Sequence, residues 1–333
     1  ALAGAKRAGR LPEPARVKLL ADMTDEVSAI VLEDSRLQAL ALSIAQAGGP
    51  GATASHLRLI ETLESSGQLD RKTEGLADSE VYARRAADGL GLTRPELAVL
   101  LSSAKLQLQG AIEASPLPDD PGLTDEVLAA FPVPMRGQFH QDILEHRLRR
   151  EIIATKLANR LVNRMGLIHP FELAEEEGAS LAQVAAAFVA AERLFGMAKV
   201  WQRIETAEMG EQARIVLFER AAAALADHIA DLLRVGGHSC EPSQLVAELH
   251  GAVTGLAKDT DSLLSGEIRA QSGRMLSQLA EVGAPSAEAA LVARLQDMDG
   301  AVGIARLAGE SGRSPRDITL AFADLGARIG LDW

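Results

Sequence analysis

The segment that most constrains the fold runs from His146 to Gly166 and reads HRLRREIIATKLANRLVNRMG. At the period of an α-helix its aliphatic residues gather on one wide arc, and most of its basic residues line the opposite side. The pattern therefore predicts a long amphipathic helix that ends at the glycine. Arg147, Arg150 and Glu151 fall inside the apolar arc. Because buried charges are costly unless they are paired and hydrogen-bonded, these residues predict either a polar network or an interface.

The composition predicts an all-α fold. Alanine and leucine dominate, aromatic residues make up only 3% of the chain, and alternating strand patterns are missing. Alanine and leucine lose little side-chain freedom in a helix, which favours helices over strands. The 333 residues are enough for several buried cores. We therefore expect a multi-helix, bundle-like array in two or three packed subdomains, with no sheet.

The charge and the termini exclude several classes of partner. The net charge of −12 at pH 7 argues against binding to a phosphate backbone. The one cysteine, Cys240, cannot form an internal disulfide. No apolar run is long enough to span a bilayer, and the first ten residues lack the apolar core of a signal peptide. We expect a cytoplasmic protein without nucleic-acid or membrane partners and, since it begins at Ala1 rather than methionine, a fragment or processed chain.

Caps and breakers place the helices along the chain. One long helix is predicted over residues 13–47, before the breaker GGPG, and a shorter one over 55–65. Thr93 with Glu96 forms a capping box that opens a helix running to Ser115, and Ser180 with Gln183 forms a second box. Further helices are predicted over 124–130, 197–206 and 211–235, and Trp201 is expected to be a core residue.

Proline and glycine clusters suggest three subdomains. Five prolines punctuate residues 116–134, and GGHSCEP occupies residues 236–242. We therefore predict an N-terminal helical subdomain (1–115), a Pro-rich clasp with a central helical core (116–235) and a C-terminal helical subdomain (236–333). Three or four helices are expected in the last part, its final helix being capped by Ser314 and opened by Pro315.

Motifs for catalysis are weak throughout. The glycines of GLGLT, residues 89–93, follow no strand and lack the third glycine of a dinucleotide fingerprint. His238 and Cys240 have no second His/Cys pair at ligand spacing. Asp119 and Asp120 lie between prolines, where carboxylates more often cap a helix or receive arginines than act as acid and base. We assign no catalytic, cofactor-binding or metal-ligating residue to this chain.

The charged residues are instead predicted to form a structural or docking network. We expect Arg147 to pair with Glu151 along the helix, and Arg150 to reach a carboxylate of Asp119 or Asp120 in a buried, bidentate pair. The alternatives for the basic helix are a solvated face, an anion site, or a docking surface for acidic neighbours. The predicted network comprises Arg94, Asp119, Asp120, Arg147, Arg150, Glu151, Asn159 and Arg164.

Several motifs in order resemble the C-terminal region of the large bacterial NAD-specific glutamate dehydrogenases. They are GLTRPELAVLLSSAKL (91–106), LPDDP (117–121), Phe131-Pro132, the segment from His146 to Gly166, EEEGAS (175–180) and AERLFGMAKVWQRIE (191–205). The resemblance is dense over residues 16–205. Beyond Gly236 it rests on helical character and on the closing LGARIGLDW, with Trp333 expected to precede the family's terminus.

The resemblance implies a parent enzyme that deaminates L-glutamate oxidatively to 2-oxoglutarate with NAD, in the cytoplasm, as a homo-oligomer. In that family the nucleotide-binding fold and the catalytic residues lie upstream, so the resemblance implies that this chain holds no cofactor itself. We therefore expect a non-catalytic helical segment that docks on the upstream catalytic domain or serves assembly or regulation. The alternative is a free-standing helical interaction module whose basic helix binds an acidic partner.

Overall fold

A computed structural model describes residues 1–236, 239–263 and 266–329. These residues form twenty α-helices and three short 3₁₀ helices, and no strand occurs among them. The prediction of an all-α fold is confirmed. The chain divides into two compact units, Ala1–Leu167 and Ile168–Trp333. The three subdomains predicted from the proline and glycine clusters stay a prediction.

The first unit contains eleven α-helices. They are α1 (Leu2–Arg7), α2 (Glu13–Asp22), α3 (Thr24–Ala47), α4 (Thr53–Ser65), α5 (Arg71–Glu74), α6 (Ser79–Ala87), α7 (Arg94–Ala114), α8 (Thr124–Ala129), α9 (Val133–Gln138), α10 (His140–Leu144) and α11 (Arg149–Met165). The 3₁₀ helices are Gly49–Ala52, Leu117–Asp119 and Pro121–Leu123.

The core of the first unit forms around α7, which packs against α3, α4 and α11. Leucines of α7 at helical spacing, Leu97, Leu101 and Leu108 among them, are fully buried or nearly so. They face a buried stripe of α11 that includes Leu157 and Leu161. Because both stripes recur at three and four residues, each helix buries one face and leaves the other polar.

The described residues of the second unit form nine α-helices. They are α12 (His169–Glu176), α13 (Leu181–Leu194), α14 (Met197–Thr206), α15 (Glu211–Val235), α16 (Pro242–Leu263), α17 (Gly266–Glu281), α18 (Ser286–Asp297), α19 (Ala301–Ser311) and α20 (Pro315–Ile329). Five of these helices follow residue 236, so the expectation of three or four was wrong.

The centre of the second unit is α13, whose sequence is almost entirely small and apolar. Ten of its fourteen residues are buried, and α12, α14, α15 and α16 pack around it. Alanines allow the neighbouring helices to approach closely on several sides. Trp201 of α14 is 3% exposed and stacks on Phe218 of α15 with ring centroids 5.6 Å apart. The prediction that Trp201 is a core residue is confirmed.

Three predicted helix starts are confirmed by their caps. The amide of Thr93 donates to Glu96 Oε2 at 2.6 Å, and the Ser180 amide donates to Gln183 Oε1 at 2.7 Å, so both capping boxes form. In α20 the Ser314 hydroxyl accepts the amide of Asp317 at 3.1 Å. These caps depend on contacts within one turn, which explains why the sequence alone locates them.

Two predicted helices have different bounds in the structure. The segment 13–47 is two helices, because the chain leaves the helical path at Met23, whose side chain is buried. The basic helix begins at Arg149 rather than near His146. The His146 ring accepts the Leu148 amide at 3.2 Å, and this local bond competes with the helical pattern.

No single helix in the described part of the chain is long and apolar enough to cross a membrane. One consecutive pair, Leu181–Leu194 and Met197–Thr206, meets the length and composition criteria together but is bent by 78°.

Candidate functional site

The guanidinium of Arg150 joins α11 to the end of α7. Its Nη2 atom donates to the carbonyl oxygens of Glu113 and Ser115, each at 2.7 Å. These carbonyls lie at the C-terminus of α7, where the last turn of a helix lacks internal donors. Arg150 therefore supplies hydrogen bonds to the end of α7 and places a cation at the negative end of its dipole.

The same guanidinium pairs with the predicted Pro-rich loop. Arg150 Nη1 forms an ion pair with Asp119, and Arg149 Nη1 lies 3.7 Å from that carboxylate. Arg149 also donates to the carbonyl of Pro118 at 2.9 Å. The predicted pairing of Arg150 with the LPDDP loop is confirmed, with Asp119 as the carboxylate, but the predicted bidentate geometry was wrong, because Nη2 is bound by the α7 carbonyls. We call Arg149, Arg150 and Asp119 with the α7 carbonyls the Arg150 cluster.

The Arg150 cluster is not fully buried, which corrects the expectation of a buried pair. The side chains of Arg150 and Asp119 are 38% and 60% exposed. Asp120 is the buried member of the loop, and its Oδ1 accepts the Gly122 amide at 2.8 Å. Asp120 thus caps the short helix Pro121–Leu123. Solvent screens the Asp119 pair, so its contribution to stability is smaller than that of a buried pair.

Other cations of α11 also meet acidic side chains of the first unit. Arg160 Nη1 lies 2.7 Å from both carboxylate oxygens of Glu126, and Lys156 Nζ lies 4.0 Å from Asp34. The pKa of Glu33 is lowered, chiefly by the hydrogen bond from Arg36 and in small part by the charge of Arg164. The basic side of α11 is therefore largely compensated within its own unit.

Most of the predicted network residues lie outside the Arg150 cluster, Arg147, Glu151 and Asn159 among them. Arg147 precedes α11 and is exposed, and no ion pair joins it to Glu151 among the described residues, so the predicted Arg147–Glu151 pair was wrong. The reason is the late start of the helix, which removes Arg147 from the helical register. Asn159 is half-buried within α11. The structure does not bring these residues together with Asp119.

Arg94 makes a separate contact, at the start of α7. Its Nη2 donates to the carbonyl of Ala39 at 2.9 Å, and its Nη1 donates to Ser43 Oγ at 3.2 Å and to Gln46 Oε1 at 3.4 Å. All three acceptors belong to the C-terminal half of α3. Arg94 thus fixes α3 on α7, a structural role at a distance from the Arg150 cluster in the fold.

Sequence reasoning missed a second charged contact at the start of α7. Arg85 donates to both carboxylate oxygens of Glu96, at 2.8 and 3.1 Å, and to the carbonyl of Gly91 at 2.9 Å. Burial alone would raise the pKa of Glu96, but the hydrogen bonds from Arg85 and Thr93 outweigh it, and the pKa is lowered. The capping box identified Glu96 from the sequence, but no pattern of neighbouring residues identified Arg85 as its partner.

The second unit contains a buried histidine that the sequence did not single out. His228 of α15 is completely buried and stacks on Phe195 with ring centroids 3.7 Å apart. Its Nε2 atom lies 3.0 Å from the carbonyl oxygen of Leu295, which requires a hydrogen on that nitrogen. Burial lowers the pKa of His228 to about 4. The ring is therefore a neutral packing element that ties α15 to α18.

Partly buried carboxylates lie on the same helix. Burial raises the pKa of Asp227, Asp231 and Glu219, and the charge of Asp299 adds to the effect at the two aspartates. Within the described part of the chain, no three His, Cys, Asp or Glu residues are arranged to hold a metal ion. His238, which the sequence analysis did not assign to a metal site, lies outside the described residues.

An open cleft of about 690 Å³ lies beside α5 in the first unit. Arg71 lines it, with Nε donating to Glu64 at 2.7 Å and Nη1 donating to Ser79 Oγ at 2.9 Å. Asp70, Lys72 and Asp78 also line the cleft. Three carboxylates and a guanidinium that is already hydrogen-bonded disfavour phosphate binding here.

Known proteins provide an independent comparison. The family described as "Glutamate dehydrogenase, C-terminal" matches residues 89–333. The match therefore extends well beyond residue 205, where the resemblance in sequence motifs had thinned. The chain is 32% identical over 335 residues to the NAD-specific glutamate dehydrogenase of Halomonas elongata and, over the same length, to that of Pseudomonas aeruginosa. Each alignment covers 98% of this chain and 20% of the relative.

A shorter match shows the same relationship. The NAD-specific glutamate dehydrogenase of Mycobacterium tuberculosis is 34% identical over 202 residues, which are 61% of this chain and 12% of that protein. The chain spans about one fifth of the length of the curated relatives from Halomonas elongata and Pseudomonas aeruginosa. Since the family match covers most of the chain, this protein belongs to the glutamate dehydrogenase C-terminal family.

Proposed function

We propose that this chain is the non-catalytic C-terminal helical part of a cytoplasmic, homo-oligomeric NAD-dependent glutamate dehydrogenase. In this proposal the parent enzyme binds NAD and deaminates L-glutamate, and the chain docks on the upstream catalytic part and stabilises the assembly. The relatives named as NAD-specific glutamate dehydrogenases support the reaction class.

The proposal of a non-catalytic role rests on one observation: the charged side chains bind other parts of the same unit. Arg94 and the Arg150 cluster connect helices to one another, and α11 meets carboxylates at Asp34, Asp119 and Glu126. A catalytic or anion-binding cation needs an open position for its ligand. These cations instead stabilise a rigid helical body, as expected of a docking or assembly module. The same pairing weakens the alternative in which a basic helix binds a separate acidic partner.

The test compares the longer polypeptide with a version that ends before Ala1. We expect the shortened enzyme to lose assembly, measured as mass in solution, or glutamate-dependent NADH formation, and the chain alone to show neither activity nor saturable heat with NAD. Full activity and unchanged mass of the shortened enzyme would contradict the proposal. So would calorimetric binding of NAD to the chain alone with a dissociation constant in the micromolar range.

A further inference from the structure

Helix α3 leaves most of its length uncovered. It has 24 residues, yet its only buried side chains are Leu40 and Ala41 in its C-terminal half. Val27, Val31 and Leu32 are 44%, 58% and 70% exposed. Large aliphatic side chains on one exposed side of a long helix are unusual for a face that remains in water.

One part of the exposed surface of α3 carries no charge, and the exposed charges Asp25, Asp34 and Arg36 lie beside it. At 100° per residue, positions 24, 27, 28, 31, 32, 35, 38, 39 and 42 share this uncharged part, and they read T, V, S, V, L, S, Q, A and L. The chain as a whole is 24% charged. We call these nine positions the uncharged strip. A partner confined to the strip leaves the flanking charges in water and so avoids the largest cost of burial.

The hydroxyl groups of the strip are already satisfied within the chain. Thr24 Oγ1 donates to the carbonyl of Leu20 at 3.1 Å, and Ser28 Oγ donates to that of Thr24 at 2.9 Å. Ser35 Oγ donates to the carbonyl of Val31 at 2.9 Å. Because each hydrogen is directed back at the helix, covering these side chains leaves no hydroxyl donor unpaired.

The strip is presented on a helix that is fixed at two places. Arg94 holds the C-terminal half through Ala39 and Ser43, at 2.9 and 3.2 Å. Toward the N-terminus, Glu26 Oε1 accepts the Val133 amide at 2.8 Å. A surface held in one conformation loses little freedom when it docks.

The area of the strip decides between possible occupants. Positions 24–42 span about 28 Å, so one helix side of about 10 Å width offers roughly 300 Å². Twice this area is well below the roughly 1,200 Å² that stable interfaces between separate molecules bury. A second copy is therefore a poor occupant. A partner in the same polypeptide needs less area, because the tether gives it a high effective concentration.

We propose that the uncharged strip of α3 is a docking surface for an apolar, uncharged surface of the catalytic part of the same glutamate dehydrogenase polypeptide. The proposal rests on the proposed function. It agrees with the relatives, in which about four fifths of the chain lies outside the aligned region.

The test measures accessibility at two matched sites in the full-length polypeptide. Val31→Cys reports on the strip, and Leu90→Cys is the control, because their native side chains are 58% and 59% exposed. Labelling by a thiol reagent is timed by mass spectrometry of each peptide, in the full-length enzyme and in the chain alone. We expect labelling at position 31 to be at least about tenfold slower in the full-length enzyme, and labelling at position 90 to change by less than about twofold.

Three outcomes would overturn this assignment. Equal rates at position 31 in the two proteins would show that the strip stays exposed, and the proposed function would still stand if loss of the chain impairs assembly. Equal protection at both positions would show general burial rather than docking at the strip. Protection in the chain alone that disappears on dilution would identify a second copy as the occupant.

Discussion

Acidification should weaken the second unit through His228. The folded ring is neutral, completely buried and stacked on Phe195, and its pKa is lowered to about 4. In the unfolded chain a histidine has a pKa of about 6.5. Since the folded state resists protonation, the unfolded state binds more protons between these values, and stability falls as the pH decreases from about 6.5 to about 4.

The size of the effect follows from the two pKa values. The full difference corresponds to about 3 kcal/mol, and the part lost between pH 7 and pH 5 is about 2 kcal/mol. With a urea dependence of about 2 kcal/mol per molar, the unfolding midpoint should fall by about 1 M. Asp227, Asp231 and Glu219 act in the opposite direction, because burial raises the pKa of each in the folded state. The histidine's share must therefore be isolated by substitution.

The assay is urea unfolding followed by the fluorescence of Trp201, which is buried against Phe218 in the same unit. His228→Phe keeps a stacked ring but removes the titrating group, so its midpoint should shift less between pH 7 and pH 5 than that of the parent chain. His250→Gln, at an exposed position of α16, is the control and should behave as the parent does. If His228→Phe and the parent lose the same stability between the two pH values, the reasoning is refuted.

Three further experiments test other parts of the structure. Thr93→Ala removes the capping box of α7 and should lower the free energy of unfolding by about 1 kcal/mol, with Thr93→Ser as the control. Urea unfolding midpoints of Thr93→Ala and the parent chain that coincide at equal slope would contradict this prediction. In a double-mutant cycle, Arg150→Ala and Asp119→Asn should show an interaction free energy of no more than about 1 kcal/mol, because the ion pair is partly exposed. An interaction free energy several times larger would disprove this account. Burial lowers the pKa of Lys105 to about 8, and the charge of Asp34 partly offsets this shift. Because the unfolded chain keeps its proton to a higher pH, the free energy of unfolding should rise from about pH 8 toward pH 10. Urea unfolding of Lys105→Met should show no such rise.

Local signals in the sequence predicted the parts of the fold that depend on neighbouring residues. The capping boxes at Thr93 and Ser180 and the helix over 94–114 follow from contacts within a few residues. The start of α11 could not be predicted in this way. It depends on the His146 ring, which accepts a nearby amide while it packs against Phe131 with ring centroids 5.8 Å apart.

Long-range contacts were predictable only in part. The charge of Arg150 in an apolar arc indicated that it needed an acceptor, and the proline-bracketed aspartates offered one. The sequence could not show that the α7 carbonyls of Glu113 and Ser115 share the guanidinium, because backbone acceptors carry no residue signature. It also could not select Asp119 over Asp120, since that choice depends on which aspartate caps the following turn.

The strongest charge signal in the sequence and the proposed docking surface lie on different helices. The cations of α11 are compensated within the first unit by Asp34, Asp119 and Glu126. The nine positions of the uncharged strip on α3 carry no charge, and the charged residues of that helix lie beside them. Salt would screen a docking contact made by the basic helix, but it would not weaken apolar contact through the strip, which depends on the removal of water. Another acidic surface would repel this acidic chain. The uncharged strip still allows docking, because neither a charged side chain nor an unpaired hydroxyl hydrogen of the strip has to be buried.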